Sequence, residues 1–275
     1  MVNIQTLFQV QGQTAVITGG SGVLGQAMAH ALAEAGARVA IISRRAETSD
    51  AVARAINANG GQARGIACDV TDQNALKAAH EQVKRAFGSI DILINGAGGN
   101  QLHATTAPGR SFFDLSPEAI EGVFNLNFTG TILSSQVFGR DMAERGQGCI
   151  VNIASMSSLK PLTNVPVYSA AKSAVTNFTQ WLAVHMAQEY SPNIRVNAMA
   201  PGFFLTEQNR FLLTDKESGE FTPRGQKILA HTPAGRLGVP EDLIGTLLWL
   251  ISPASAFVTG IVVPVDGGFS AFGGV

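Results

Sequence analysis

The sequence predicts a single α/β domain, built as a doubly wound parallel sheet with helices on both faces. Short apolar stretches alternate with longer stretches of helical period along the 275-residue chain, an alternation typical of sheets that are covered on both sides. Hydrophobic residues make up 45% of the chain and charged residues only 14%, so the chain can bury a large core. Neither a linker of biased composition nor an internal repeat divides the sequence, so one domain spanning residues 1–275 is expected.

Seven apolar stretches are predicted to form the strands of this sheet. They are Thr14–Thr18, Arg38–Ser43, Ala63–Cys68, Asp91–Asn95, Cys149–Ala154, Ile194–Met199 and Ile261–Val265. The first six are nearly continuously apolar, as expected of parallel strands that are buried on both faces. The last one follows the final predicted helix and completes the sheet.

The segments between these strands are long enough for crossover helices. The predicted helices are Val23–Gly36, Thr48–Gly60, Gln73–Gly88, Ser116–Gly146, Val167–Tyr190 and Pro240–Ile251. Several of them end at glycine, which commonly terminates helices. Because such a sheet binds ligands outside the carboxyl ends of its strands, the residues just after each strand are the candidates for chemistry.

Charge and cysteine content exclude several classes of function. The 19 Lys and Arg and 20 Asp and Glu leave a formal net charge of -1, which offers no basic footprint for nucleic acid or an anionic membrane. Cys68 and Cys149 form no Cys-x-x-Cys pair, and the histidines show no metal-ligand spacing. No targeting or membrane-spanning pattern is visible. We therefore expect a cytoplasmic protein with buried thiols, no bound metal and a small-molecule ligand.

A glycine-rich turn joins the first predicted strand to the first predicted helix. Gly20, Gly22 and Gly25 form the pattern Gly-x-Gly-x-x-Gly at this junction, which permits a tight turn and a close approach of the backbone to a pyrophosphate. An ordinary connecting turn is the alternative. The pattern favours a Rossmann-type dinucleotide site, and its predicted contacts are Gly19, Ser21, Gly22, Val23, Leu24 and Gly25.

The residues after the second predicted strand bear on the choice of cofactor. An acidic residue there would bind the adenosine ribose of NAD, but this chain has Ser43, Arg44 and Arg45. Two guanidinium groups can bind a 2′-phosphate through charge-assisted bonds. The sequence therefore favours NADP(H), with NAD(H) as the alternative if the arginine pair is merely solvated.

Ser155 follows the fifth predicted strand, and Tyr168 and Lys172 lie near the start of the next helix. The i, i+4 spacing places Tyr168 and Lys172 on one helix face. An ammonium about 4 Å from the phenol, at an effective dielectric constant of about 20, would lower the phenol pKa by roughly three units. Such a pair could donate and accept protons near neutral pH, but Tyr-x-x-x-Lys on a helix is, taken alone, usually a surface pair.

These ordered motifs resemble the short-chain dehydrogenase/reductase family from Gly12 to Gly268. The resemblance implies that Tyr168 is the general acid and base, that Lys172 is its electrostatic partner and a ribose ligand, and that Ser155 orients the substrate. It further implies a water-holding Asn127, and cofactor contacts at Asp69, Val70, Asn95, Gly96, Ala97, Gly98, Pro201, Gly202 and Thr206. The family's usual loop reads Thr-Gly-x-x-x-Gly-x-Gly, whereas Gly22 here comes one position earlier. A slightly different phosphate loop is therefore expected.

Further strings, among them Asn95–Asn100 and Ala200–Arg210, resemble the family's D-mannonate oxidoreductases, or fructuronate reductases. A keto sugar acid of this kind needs a cationic anchor and amide or imidazole partners. The candidate substrate residues are Asn100, His103, Lys160, Asn209, Arg210 and Arg224. Residues 203–237 are expected to form a lid. The alternatives are a reductase of another ketone, sugar or 3-oxoacyl substrate, and a non-catalytic nucleotide sensor.

The family resemblance also implies a homotetramer. Phe269 and Phe272 near the C-terminus have no amphipathic element of their own. We therefore expect them to pack elsewhere, at a subunit interface close to a neighbour's lid.

Overall fold

The fold is a single sheet of seven parallel strands, as the sequence predicts. The computed structural model describes residues 3–205, 213–215 and 219–274. The strand order is β3-β2-β1-β4-β5-β6-β7. The strands are β1 Thr14–Thr18, β2 Arg38–Ser43, β3 Gln62–Ala67, β4 Ile92–Asn95, β5 Gly148–Ile153, β6 Ile194–Pro201 and β7 Val262–Val265.

The helices cover both faces of this sheet. They are α1 Ile4–Leu7, α2 Val23–Glu34, α3 Ala46–Ala58, α4 Gln73–Phe87, α5 Pro117–Phe124, α6 Gly130–Arg145, α7 Pro166–Glu189, α8 Pro223–Ala230 and α9 Ile244–Ile251. Within β1, Ile17 belongs to a core formed with α2, α3 and α9, while Val16 belongs to a second core formed with α4, α6 and α7. This two-sided burial explains the continuously apolar pattern of the central strands. The expectation of burial on both faces is wrong for β3, which lies at the edge of the sheet and is largely exposed.

The helix expected over Ser116–Gly146 is present from Pro117 to Arg145, but a π turn in its middle divides it into α5 and α6. Helix α5 ends at Phe124, residues Asn125–Thr129 form the π turn, and the N–H of Gly130 donates to the carbonyl of Asn125, five residues back. The buried amide of Asn127 explains the interruption, since it bonds to backbone groups of Gly99 and Val123 and so competes with a regular helix.

Both cysteines are buried. Burial raises the pKa of the Cys68 and Cys149 thiols to about 11, so both remain protonated near neutral pH. None of the helices within the described ranges combines the length and the apolar character needed to cross a bilayer.

The segment expected as a helix over Pro240–Ile251 begins as a 3-10 turn, Pro240–Leu243, and continues as α9.

Candidate active site

The glycine-rich turn after β1 is tightly packed. Gly19 has φ +67°, and a Cβ on Gly25 would lie 2.4 Å from the carbonyl oxygen of Gly19, so no larger side chain fits there. Gly22 is the N-cap of α2 and has no side chain that could cap the helix. The first N–H groups of α2 are therefore available to an anion. The loop fits the pyrophosphate of a dinucleotide, despite the shifted position of Gly22.

Thr18 connects this loop to the segment after β4, a contact that sequence reasoning missed. Its side-chain oxygen accepts hydrogen bonds from the backbone N–H groups of Gly96 and Ala97, each at 3.2 Å. A Cβ on Gly19 would lie 2.7 Å from the carbonyl oxygen of Gly96. The segments predicted to contact the cofactor after β1 and β4 thus lie against each other. The only available signal was a threonine before the first glycine.

The predicted adenosine-side residues lie at the ends of β2 and β3. Arg44 and Arg45 are exposed, and the Ser43 hydroxyl donates to the carbonyl of Arg45. Hydrogen bonds from Thr71 and the nearby charge of Arg44 lower the pKa of Asp69, which is also exposed, whereas its neighbour Val70 is buried. The two arginines and Asp69 therefore form one solvent-facing rim beside the loop.

Ser155, Tyr168 and Lys172 meet where β5 ends and α7 begins. Ser155 lies two residues after the end of β5, where its side chain acts to lower the pKa of Tyr168, and its Oγ accepts a hydrogen bond from the Ser157 N–H at 3.2 Å. The ammonium nitrogen of Lys172 lies 5.8 Å from the centre of the Tyr168 ring and donates a bond to the carbonyl oxygen of Ile153 at 2.7 Å. Only 3% of Lys172 is exposed. The three predicted catalytic side chains thus form one cluster.

The electrostatics of this cluster differ from the expectation. The ammonium of Lys172 donates to the Ile153 carbonyl, and burial raises the pKa of Tyr168, although the side chain of Ser155 acts in the opposite direction. The expected lowering of the phenol pKa is therefore wrong for this structure. Burial also lowers the pKa of Lys172 to about 8. Desolvation is thus the largest cause of both pKa shifts.

Asn127 is fully buried and fastens the segment after β4. Its Nδ2 donates to the carbonyls of Gly99 and Val123, and its Oδ1 accepts from the Gly99 N–H at 3.2 Å. A Cβ on Gly98 would lie 2.7 Å from Asn127 Oδ1 and 3.0 Å from Lys172 Nζ. Asn127 and Lys172 therefore both lie beside Gly98, which belongs to the segment expected to contact the cofactor.

The remaining cofactor candidates lie at the ends of β6 and β4. Pro201 is the last residue of β6, and the N–H of Gly202 donates to the carbonyl of Val265 at the end of β7. Asn95 is buried at the end of β4. Thr206 lies outside the described residues.

The candidate substrate residues are dispersed. Asn100 and His103 are exposed after β4, and Arg224 is exposed in the first turn of α8. Lys160 has a partner that the sequence did not suggest, because its amine donates to the carbonyl of Phe272 in the C-terminal tail at 2.8 Å. Asn209 and Arg210 lie outside the described residues. Among the residues that the structure covers, no three potential ligand side chains cluster as a metal site would require.

The C-terminal tail packs on its own chain. The rings of Phe269 and Phe203 are 5.1 Å apart and meet edge to face, and Phe272 contacts His231 just after α8. Phe269 and Phe272 thus contact Phe203 and His231 of their own chain, whereas the sequence led us to expect them at a subunit interface close to a neighbour's lid. A cavity of about 330 Å³ lies where this segment meets the end of β7, and Thr232 is part of its lining.

Comparisons with known proteins agree with this arrangement. The model of the family described as short chain dehydrogenase matches residues 13–217. The uncharacterized oxidoreductase UxuB of Bacillus subtilis is 52% identical over 273 residues, covering 96% of this chain and 97% of that protein.

Two solved structures are similar over nearly the whole chain. A Haemophilus influenza protein described as a candidate D-mannonate oxidoreductase, solved with bound NAD, is 45% identical, with 99% of this chain and 100% of that chain covered and a TM-score of 0.92. A gluconate 5-dehydrogenase from Burkholderia cenocepacia, in complex with NADP and tartrate, is 31% identical, with 98% and 100% covered and a TM-score of 0.87. Together with the strand order and the cluster at the end of β5, these matches identify the chain as a member of the short chain dehydrogenase family.

Proposed function

We propose that this protein is a nicotinamide-dependent reductase of a keto sugar acid, of the D-fructuronate and D-mannonate type. The observation that carries the proposal is the meeting of Ser155, Tyr168 and Lys172 at the end of β5. The likeness to the Haemophilus protein and to the Burkholderia gluconate 5-dehydrogenase supports a sugar acid as the substrate. The proposal thus rests on this chain's own cluster for the chemistry and on its relatives for the substrate.

The chain's residues hold the cofactor at the carboxyl edge of the sheet. The uncapped N-terminus of α2 binds the pyrophosphate. Lys172, whose Nζ lies beside Gly98, binds the nicotinamide ribose, and Pro201 with Gly202 contacts the carboxamide. When bound, the nicotinamide supplies or accepts the hydride.

Tyr168 carries the proton in this account. As the substrate carbon gains a hydride, its oxygen gains the phenol proton, and the reverse reaction returns both. Ser155, whose side chain acts on the pKa of Tyr168, orients the substrate oxygen beside the phenol. The raised pKa of Tyr168 keeps the phenol protonated before catalysis, as a reductase requires, and the adjacent Lys172 ammonium favours the phenolate that forms. In the proposed relay Asn127, which lies beside Gly98 and Lys172, would position the water through which Lys172 regains a proton from solvent.

NADP(H) is the favoured cofactor, with NAD(H) as the alternative. Arg44 and Arg45 are exposed just after β2, where a 2′-phosphate would lie. Each guanidinium group can form a bidentate pair of hydrogen bonds with that phosphate. The Haemophilus relative was solved with NAD and the Burkholderia relative with NADP, so the choice depends on this arginine pair rather than on the relatives.

The substrate is bound between the segment after β4 and the lid, residues 203–237. Asn100, His103 and Arg224 are exposed there, and the cation of Arg224 is the described candidate for the carboxylate. Asn209 and Arg210 remain candidates on the sequence alone, because they lie outside the described residues. Packing of Phe269 on Phe203 ties the lid to the C-terminal tail.

The protein assembles as a homotetramer in this proposal. Trp181 and Val184 on α7 and Tyr190 just after it are more than half exposed, at 57%, 55% and 55%. The Trp181 ring stacks on His185 at 4.7 Å and extends this aromatic face. Such a patch is typical of an interface between subunits.

A matched pair of substrates tests the proposal. D-Fructuronate and the neutral ketose D-fructose differ in a carboxylate, so the purified protein is assayed with both and with each reduced nicotinamide cofactor. We expect kcat/KM to be at least about 100-fold higher for the acid. A preference for neutral or thioester ketones would overturn the sugar-acid assignment. Cofactor binding without turnover of any ketone would indicate a nucleotide sensor instead.

A further inference from the structure

A row of buried side-chain hydroxyls lies along the sheet-facing side of α6. Ser135 and Thr131 are spaced four residues apart, and Asn127 of the π turn is four residues before Thr131. Only 7% of Ser135, 5% of Thr131 and none of Asn127 is exposed. Buried hydroxyls at this depth are costly unless they form hydrogen bonds, so their bonds have structural consequences.

These side chains form one continuous chain of hydrogen bonds. Asn95 Nδ2 at the end of β4 donates to Ser135 Oγ at 3.0 Å, and Ser135 Oγ donates to the carbonyl of Thr131 at 2.8 Å. Thr131 Oγ1 donates in turn to the carbonyl of Asn127, also at 2.8 Å. The amide of Asn127 then bonds to both backbone groups of Gly99. The chain begins at the last residue of β4 and ends on the segment that follows this strand.

The π turn needs such support because its backbone departs from helical register. Its closing bond runs from the Gly130 N–H to the carbonyl of Asn125, and π turns are rare in proteins and occur mostly at functional sites. The Thr131 hydroxyl gives the Asn127 carbonyl a donor inside the helix. This bond fixes the orientation of the peptide group at Asn127, whose side chain lies beside Gly98 and Lys172.

We propose that Thr131 and Ser135 are positioning residues that hold the π turn, and with it Asn127, in the geometry that the proton transfer at Lys172 and Tyr168 requires. Neither residue touches the reacting atoms in this account. The inference rests on the proposed catalytic function of the site. The stability of the π turn can nevertheless be measured without turnover, by amide hydrogen exchange.

The chain offers a matched control. Ser134 lies next to Ser135 on α6 and is fully buried, but within the described residues its hydroxyl oxygen has no hydrogen-bond partner. Ser134→Ala and Ser135→Ala therefore remove the same atom at the same depth, and only the second removes a bond of the chain. Thr131→Val and Thr131→Ser form a second pair, in which valine keeps the shape and serine keeps the hydroxyl.

Two measurements test the proposal on the full-length protein. Amide hydrogen exchange across Asn125–Thr131 is expected to be faster in Thr131→Val and Ser135→Ala than in the wild type, but unchanged in Ser134→Ala and Thr131→Ser. In steady-state assays with the best ketone substrate, we expect kcat to fall about fivefold in Thr131→Val and Ser135→Ala, with KM for the cofactor changing less than about twofold. Serine at position 131 should restore kcat.

Either measurement can overturn the inference. Equal exchange in the Ser134→Ala and Ser135→Ala variants would show that the hydroxyl chain does not hold the π turn. Faster exchange with unchanged kcat would show that the hydroxyls are structural only. Failure to reduce sugar acids would contradict the proposed substrate alone, because the exchange comparison needs no substrate and turnover can be followed with any ketone that the wild type reduces.

Discussion

The ammonium of Lys172 donates a hydrogen bond to the carbonyl oxygen of Ile153 at 2.7 Å. Ile153 is the last residue of β5, and Lys172 lies in the first two turns of α7. The bond therefore ties the helix that carries Tyr168 to the strand that precedes Ser155. It also buries a charged group at the end of the sheet.

This burial predicts a dependence of stability on pH. The pKa of Lys172 is lowered from 10.5 to about 8 in the folded protein, so the unfolded chain binds more protons between these values and stability must rise with pH across that window. Relative to Lys172→Met, the wild type should gain up to about 3 kcal/mol in free energy of unfolding. Urea unfolding of both proteins below, within and above the window measures this gain. A difference between them that does not change with pH would contradict the prediction.

The arginine pair after β2 predicts cofactor discrimination. Replacing Arg44 and Arg45 by Ala should raise the Kd of NADPH at least about tenfold and change that of NADH less than about twofold, because only NADPH has the 2′-phosphate. Cofactor fluorescence titration gives both constants. Arg54→Ala is the control, since Arg54 is also exposed but lies within α3. If the wild type binds both cofactors equally, the pair is only solvated.

The tail predicts a coupling between the C-terminus and substrate binding. Phe269→Ala removes the edge-to-face contact with Phe203, so KM for the substrate should rise about fivefold. Phe257→Ala serves as the control because Phe257 is fully exposed.

The tail also predicts the assembly state. Light scattering should give a tetrameric mass for the wild type and a weaker assembly when residues 269–275 are deleted. A monomeric wild type at micromolar concentration would rule out the proposed assembly.

The sheet could be predicted closely from the sequence because burial on both faces leaves a continuous apolar signal. The boundaries of β1 and β2 agree with the prediction, and β3 is shifted by one residue. The glycine turn after β1 and the i, i+4 pair on α7 could also be placed, since each depends on neighbours in sequence. Local patterns therefore located the candidate site.

Features that depend on contacts between distant segments could not be predicted. The π turn exists because Asn127 bonds to Gly99, 28 residues away in the sequence. The raised pKa of Tyr168 comes from burial by the folded chain, and the Lys172 ammonium bonds to the carbonyl of Ile153, 19 residues away. The partner of Lys160 is likewise a tail carbonyl 112 residues away. None of these contacts produces a periodic pattern in the amino-acid sequence.

The central claim is that Tyr168 transfers the proton during reduction of a keto sugar acid, and the most direct measurement compares wild type and Tyr168→Phe. NADPH oxidation by D-fructuronate is followed for both, and NADPH affinity is measured alongside as the control for an intact site. We expect turnover to fall by at least about 100-fold while NADPH affinity changes little, because only the transferable proton is lost. Near-normal turnover in Tyr168→Phe would contradict the claim.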